Sequence, residues 1–584
     1  MESPTPVPLS SLSSAPLGRV IPIQSEARRP RATPKGRQVQ PEDRDRVAVL
    51  CAGLAPRADL LIEHLHRLQD AEGGLRRGRL AALAERLRLS QVEVYEVATF
   101  YHHFDVVDDG AELPATTVRV CTSLSCQMAG AASLLAALQQ RLAQDGRVRV
   151  VEAPCVGQCH RAPAASVGQR QLPEATVDGV QAVLAAQDTG PRPLPASGAP
   201  LTGDDYAQWR RVMAGDWSPE AVLAELKASG LRGLGGAGFP AWRKWETVRA
   251  QPGPRYMVVN IDEGEVGTFK DWQVLSTAPR RALEGMLIAA WFVGAQKVWL
   301  YLRDEYHDVR ALLQEELLHL RGLSEVWRRE YPAIEFPEVE LRRGAGAYIC
   351  GEESALIESL EGKRGMPRLR PPIVAQVGVF GRPTLAHNVE SLWWLPEILE
   401  KGGPAWAAVG RRGRSGWRRF SVSGRVVKPG VVLAPAGITL NELVNEYAGG
   451  MAPGHTLYGY LPGGASGGIL PAALADVPLD FDTLAEHGAF VGSMAVVVLG
   501  QHDRARDAAV NLMQFFEHES CGQCTPCRAG TTQAVALMQA PGWDAERLTE
   551  LSQVMRDASI CGLGQAAPNP FDSVLRFFPQ EVQA

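Results

Sequence analysis

Long apolar runs are missing from this chain. Its most apolar segment, Met286 to Ala295, is about half the length that a bilayer-crossing helix needs, and Lys297 closes it, so it reads as a buried helix and not a membrane insertion. A basic excess is missing too. Sixty Lys and Arg face 65 Asp and Glu for a formal charge of -5, and the aromatics, 7% of the chain, are not interleaved with basic runs. Nucleic acid is excluded as a partner on that basis. The first forty residues lack both the apolar core of a secretory signal and the amphipathic pattern of a transit peptide. Ten cysteines without a secretory signal imply a reducing, cytoplasmic compartment and exclude a disulfide framework.

Eight of those cysteines fall into two sets. Cys521, Cys524 and Cys527 lie in SCGQCTPCRAG, and Cys561 follows in SICGLG. A cubane cluster needs four soft thiolates; a Cys-x-x-Cys-x-x-Cys loop reaches three corners and a distant Cys closes the fourth. Structural zinc is the rival, but it usually pairs two Cys-x-x-Cys knuckles, whereas three equally spaced thiols with Pro526 inside the loop favour 4Fe-4S. The second set is Cys121 and Cys126 in VCTSLSC with Cys155 and Cys159 in APCVGQC. Each pair follows a valine-rich, strand-like run, Val118 to Val120 or Val148 to Val151, so the thiols sit on strand-end loops that converge only if the strands are neighbours. Their wider, unequal spacings suit a 2Fe-2S rhomb better than zinc or inert thiols. Cys51 and Cys350 remain, and Cys51 reads as a small buried apolar residue.

At 584 residues the chain is too long for one core, and several domains are expected. Residues 1–40 combine prolines and serines with a basic patch from Arg28 to Arg37, which reads as a disordered tail. From Pro41 to Phe104 the spacing of Leu60, Leu61, His64, Leu65 and Leu68, repeated by Leu80, Leu83 and Leu87, predicts a helical bundle. His64, His66, His102 and His103 have no evident ligand partner there and read as packed or solvated imidazoles. Pro, Gly and Ala between Asp188 and Pro200 mark a linker. Beyond it lies LRGLGGAGFP, where Gly233, Gly235, Gly236 and Gly238 would let backbone amides approach an anionic or flat ligand. This is a poor Rossmann fingerprint, because the preceding Ala221 to Ala228 looks helical and Phe239 with Pro240 interrupts the helix that should follow.

Three more segments, VVNIDEGEVGTFKD, GAGAYICGEESALIESLEGKRG and RPTLAHNVESL, make a resemblance visible. With the two cysteine sets they resemble the flavin subunit of respiratory complex I fused behind its 2Fe-2S subunit. The same fusion occurs in the diaphorase parts of NAD-linked formate dehydrogenases and NAD-reducing hydrogenases. The resemblance covers roughly residues 41 to 580. RATPKGRQV, YLRDEY and YLPGGASGGILP look most like the beta subunit of a soluble molybdenum- or tungsten-dependent formate dehydrogenase.

The resemblance implies a multidomain α/β fold. Its expected parts are a helical bundle over 41–110, a thioredoxin-like 2Fe-2S domain over 111–187 and a linker over 188–215. An α/β FMN- and NAD-binding domain over 216–415, a β-grasp domain over 416–505 acting as a spacer, with its glycine turn PGGASGG as a second nucleotide loop the alternative, and a helical 4Fe-4S domain over 506–584 follow. FMN would lie on the glycine loop, with Lys244 near its phosphate and Asn260, Asp262 and Glu263 around the isoalloxazine and ribityl chain. Tyr348, Gly351, Glu352 and Glu353 would line the flavin and nicotinamide space, and Asn388 would close it. The dinucleotide would stack its adenine on Phe239 and touch Glu265 and Arg370. Val266, His387 and Ile373 depart from the family pattern; His387 stands where an Asn is usual, and Ile373 offers area without π-stacking.

Nicotinamide exchanges a hydride and clusters pass single electrons, so flavin is the expected converter, and no side chain is assigned a catalytic role. The expected partner is an alpha subunit carrying a molybdenum or tungsten pterin cofactor and further iron-sulfur clusters. A hydrogenase or complex I diaphorase is the alternative, and a metal-bearing assembly scaffold the distant one.

Overall fold

The computed structural model describes residues 36–583, so the tail expected over 1–40 lies, as far as residue 35, outside the described residues. Four helices, Pro41–Leu50, Leu61–Glu72, Arg77–Leu87 and Gln91–Ala98, form the bundle. Their heptad-like leucines Leu61, Leu65, Leu68, Leu80, Leu83 and Leu87 are buried. The fourth helix opens with a capping box: Ser90 Oγ accepts from the Glu93 amide at 3.2 Å, and the Glu93 carboxylate accepts from the Ser90 amide at 2.7 Å.

The bundle docks on the FMN-binding domain through histidine. A ring nitrogen of His66 pairs with the Gly344 carbonyl at 2.9 Å, and His103 Nδ1 lies 2.7 Å from Asp304, which Arg343 also holds. Burial, reinforced by the Arg343 cation, holds His66 well below its ordinary value of 6.5. Its imidazole therefore stays neutral in the fold, while the unfolded chain takes up the proton below pH 6.5. Acid then favours unfolding, by about 1.4 kcal/mol per pH unit for each such histidine. Between pH 7 and 5, urea denaturation of the His66→Gln variant is expected to lose less stability than the parent; equal losses would refute a neutral His66.

Four strands build the thioredoxin-like sheet: β1 (Thr116–Cys121), β2 (Val148–Ala153), β3 (Ala165–Val167) and β4 (Arg170–Leu172), in the order β2-β1-β3-β4. β1 and β2 run parallel and pair Cys121 with Ala153, which is the adjacency the valine-rich runs required. Helices Ala131–Leu142 and Val177–Ala186 bury Leu134, Leu138 and Val180 in the same core. Within the stretch expected to be linker, Ala207–Met213 is helical, because Trp209 is wholly buried in the next domain's core.

That next domain holds a parallel sheet of β5 (Arg255–Ile261), β6 (Ala295–Leu302), β7 (Glu338–Arg343) and β8 (Thr384–Asn388), ordered β8-β5-β6-β7. Its centre reads as apolar runs because helices cover it, among them the buried helix Pro279–Val293 that contains most of the Met286 to Ala295 segment. Chain leaving the carboxyl ends of β5, β7 and β8 carries the DEGE loop, Tyr348 and Asn388, the end of a parallel sheet where ligands bind. The glycine loop sits between helix Pro219–Ser229 and helix Ala241–Arg249; Pro240 precedes the second helix and does not interrupt it.

The β-grasp domain is a mixed sheet of β9 (Trp417–Gly424), β10 (Gly430–Pro435), β11 (Leu457–Leu461), β12 (Leu470–Pro471) and β13 (Ala495–Gly500), ordered β10-β9-β13-β11-β12. Helices Ala505–Glu519, Thr525–Met538, Ala545–Ala558, Gly562–Ala566 and Asn569–Phe577 complete the chain. Among the described residues, no helix is long and apolar enough to cross a membrane.

Candidate functional site

At the carboxyl ends of neighbouring strands β5 and β8, Asn260 and Asn388 face each other in register. Asn260 Nδ2 donates to the Gly351 carbonyl at 2.8 Å and its Oδ1 accepts from the Asp262 amide at 3.0 Å. Asn388 Oδ1 caps the helix that follows and Nδ2 donates to Asp271 at 2.6 Å. Between these ends opens a cavity of about 470 Å³, within the usual range for cofactor pockets. It is lined by Gly235, Gly236, Asn260, Asp262, Glu263, Glu265, Tyr348, Gly351, Glu352 and Asn388 of the expected set. A Cβ on Gly235 would come within 3.0 Å of Asn388, so the loop reaches the cavity with bare backbone.

Gly233, Gly238, Phe239, Lys244, Glu353, Arg370 and His387 are not on that wall. Lys244 Nζ instead holds Glu353 at 3.0 Å and the Ala386 carbonyl at 3.1 Å, while Arg370 pairs with Glu352 and lies 3.5 Å from Glu353. Arg370 thus reaches the cavity through Glu352, whereas Lys244 is held outside it by Glu353. Phe239 and Ile373 are exposed apolar side chains outside it. His387 is buried, edge-on to Trp245, and burial lowers it to about 3, so it is a neutral packed ring.

Burial dominates the electrostatics. Asp262 has a buried Oδ2 without a hydrogen-bond partner, and burial raises its carboxyl well above the usual range. Glu263 is also raised by burial, yet it is fully bonded, to the amides of Asp271 and Trp272 at 2.8 and 3.0 Å and to the Tyr306 hydroxyl at 2.8 Å. Glu265 accepts from the Ser466 amide at 2.8 Å, from Ser466 Oγ at 2.7 Å and from the Tyr348 hydroxyl.

Ser466 shows what sequence reasoning missed. It comes from the β-grasp turn PGGASGG, and Phe490 and Ser493 of that domain, with Arg556, Gln565 and Asn569 of the C-terminal helices, complete the cavity wall. The β-grasp domain is therefore no mere spacer. Gly464, at φ +76°, brings the turn so close that a Cβ would meet Glu265 Cγ at 2.6 Å. The glycine turn was a visible signal; the helical residues carried none.

Both cysteine sets converge. Cys521, Cys524, Cys527 and Cys561 line one small void beneath Ile349, next to the cavity wall. Burial pushes the Cys527 thiol up to about 11 and the Cys561 thiol up to about 12. Cys121, Cys126, Cys155 and Cys159 are all buried, and Cys155 Sγ lies 3.2 Å from Cys159 Sγ. Cys121 adjoins both Cys126 and Cys155. This second set is tied to the cavity: Arg303 donates to the Cys155 carbonyl at 2.6 Å and to the Glu263 carbonyl. Gly157, between Cys155 and Cys159, lies so near Tyr306 that a Cβ would approach the ring within 2.6 Å.

The Nuo51 FMN-binding domain family matches residues 226–397. The thioredoxin-like [2Fe-2S] ferredoxin family matches residues 49–188. The NADH-ubiquinone oxidoreductase-F iron-sulfur binding region matches residues 507–584. The F-type component of the NADH-quinone oxidoreductase of Rickettsia typhi is 40% identical over 63% of this chain and 89% of that protein. The chain belongs to the NADH-quinone oxidoreductase F family. A second F-type component, from Rhizobium meliloti, is 38% identical over 65% of this chain and 92% of its own length. A chain of the NAD+-reducing [NiFe]-hydrogenase crystal structure in the H2-reduced state extends the likeness to 91% of this chain and 93% of that one, at 33% identity and a TM-score of 0.78.

The three family matches give the chain an FMN-binding domain, a thioredoxin-like 2Fe-2S domain and a C-terminal 4Fe-4S region. Its residues fit these groups. The bare glycine backbone suits the anionic phosphate of a flavin mononucleotide, the unpartnered Asp262 oxygen suits one of its N–H or hydroxyl groups, and two sets of four soft thiols suit iron.

Proposed function

We propose that this chain is the NAD(H)-reacting diaphorase subunit of a multisubunit oxidoreductase, exchanging electrons with a partner subunit through its iron-sulfur domains. The observation that carries the reading is one glycine- and carboxylate-lined cavity flanked by both four-thiol sets within a single chain. Bound FMN supplies the conversion between hydride pairs and single electrons.

The chain's own groups do the rest. Asn260, Asp262 and Asn388 hold the flavin's polar atoms, and the backbone of Gly235 and Gly236 faces its phosphate end. Glu265, kept in place by Tyr348 and Ser466, contacts the dinucleotide. Phe239 and Arg370, outside the cavity wall, receive the adenine end and the phosphates. Glu352 ties Arg370 to the wall, and Glu353 holds Lys244 just outside it. No side chain is needed as a proton donor for hydride transfer.

For the donor, a hydrogenase-type partner is favoured, because the likeness to the hydrogenase chain runs through all three cofactor domains. Formate is the second reading, resting on the segments RATPKGRQV, YLRDEY and YLPGGASGGILP and implying a molybdenum or tungsten pterin partner. Anaerobic isolation with native partners decides. Hydrogen-dependent NADH formation is expected on the first reading and formate-dependent NADH formation on the second. Absence of NADH oxidation with an artificial acceptor would overturn the diaphorase itself.

A further inference from the structure

A hydrogen-bonded chain crosses three domains and ends on Glu265. Ser466 holds the Glu265 carboxylate through its amide and hydroxyl, and the Ser466 carbonyl accepts from Asn569 Nδ2 at 2.7 Å. Asn569 Oδ1 accepts from Arg556 Nη2 at 2.6 Å, and the same nitrogen donates to Asp572 at 2.6 Å. Asn569 is buried, its side-chain amide bonded at both ends, and its own carbonyl accepts from Ser573 Oγ at 2.6 Å.

The turn it grips needs an external support. Ala465–Gly467 is a single 3-10 turn between Gly464 and Gly468, both at positive φ, and it lies outside the β-grasp ladder. Its ends are tied to the β-grasp domain, the Gly464 amide donating to the Ala495 carbonyl at 2.8 Å and the Phe490 amide to the Gly467 carbonyl at 3.3 Å, while the Ser466 carbonyl between them is held by Asn569. Helices Ala545–Ala558 and Asn569–Phe577, by contrast, are fixed by core residues Leu548, Met555, Phe571 and Val574.

We propose that Asn569, braced by Arg556, is a positioning residue for the nucleotide reaction: it fixes the Ser466 turn and through it the Glu265 carboxylate. The C-terminal helices then do more than carry a cluster, since they set the geometry of a site built mainly by another domain. The inference rests on Glu265 being a dinucleotide contact, as proposed above.

The test uses the full chain with FMN and iron content matched to the parent, and NADH oxidation by ferricyanide as the assay. Asn569→Ala removes both bonds. Asn569→Asp keeps the shape and the oxygen facing Arg556 but replaces the donor to Ser466 by a second oxygen. Both are expected to raise KM for NADH roughly five- to tenfold, the loss of one buried hydrogen bond, with kcat held within about twofold. Adding Glu265→Gln should then raise KM no further than Glu265→Gln does alone. A parent-like KM for Asn569→Asp, or additive effects, would overturn the proposal. If Glu265→Gln alone leaves KM unchanged, it is the reading of Glu265 that fails.

Discussion

Replacing Cys561 with serine is expected to cut electron exchange with the partner by roughly a hundredfold or more, because the 4Fe-4S cluster loses one of four soft ligands. The other three thiols sit within one short loop, but Cys561 arrives from beyond helix Ala545–Ala558 and is the sole ligand on its side of the void. Burial raises its thiol to about 12, offset in part by the Leu563 and Gly564 amides. Those amides favour the thiolate that iron requires, and serine would be a harder and less acidic ligand in the same place. The flavin cavity draws nothing from Cys561 itself. FMN content and NADH oxidation by ferricyanide should therefore stay within about threefold of the parent while the 4Fe-4S electron-paramagnetic signal disappears. Retention of that signal with full partner activity would remove Cys561 from the ligand set.

Much of this site was legible because its chemistry is concentrated in short segments. The eight thiols could be grouped from spacing, and the valine-rich runs before two pairs are the adjacent parallel strands β1 and β2. The resemblance placed the acids of the DEGE loop and the two asparagines at one cofactor site, and the parallel pairing of β5 with β8 sets Asn260 beside Asn388. Ser466, Arg556 and Asn569 were not legible, since Ser466 meets Glu265 across 201 residues of sequence and Asn569 meets Ser466 across 103. Asn569 opens an unremarkable amphipathic helix, and only the packing of domains gives its amide a task. His387 is the converse case. It stands where the resemblance implies an FMN-contacting Asn, a contact its imidazole put in question, and successive residues of a strand point to opposite faces, so its ring packs with Trp245 away from the cavity.

The largest stability effect is expected at Lys270. This lysine is 1% exposed, with Nζ 2.8 Å from Asp271 and 3.1 Å from Glu390, and Glu263 is held by the Asp271 amide at 2.8 Å. Burial alone would lower its pKa, yet the three carboxylates hold it above the ordinary value. Lys270→Met keeps most of the volume and deletes the charge. Asp271 and Glu390 are then left buried with Arg419, 3.6 Å from Glu390, as the nearest remaining cation. Removing one partner from a buried ion network costs about 3–5 kcal/mol, far more than the network contributes over an apolar replacement of all its members. Because Asp271 also anchors Asn388 on the cavity wall, FMN content should fall together with the urea midpoint. Adding Glu390→Gln should recover part of the lost stability by removing one stranded charge, as a double-variant cycle in urea would read. If Lys270→Met were as stable as the parent and retained its flavin, the carboxylates beneath the cavity would have to be protonated in the fold, and Lys270 would not be what keeps them charged.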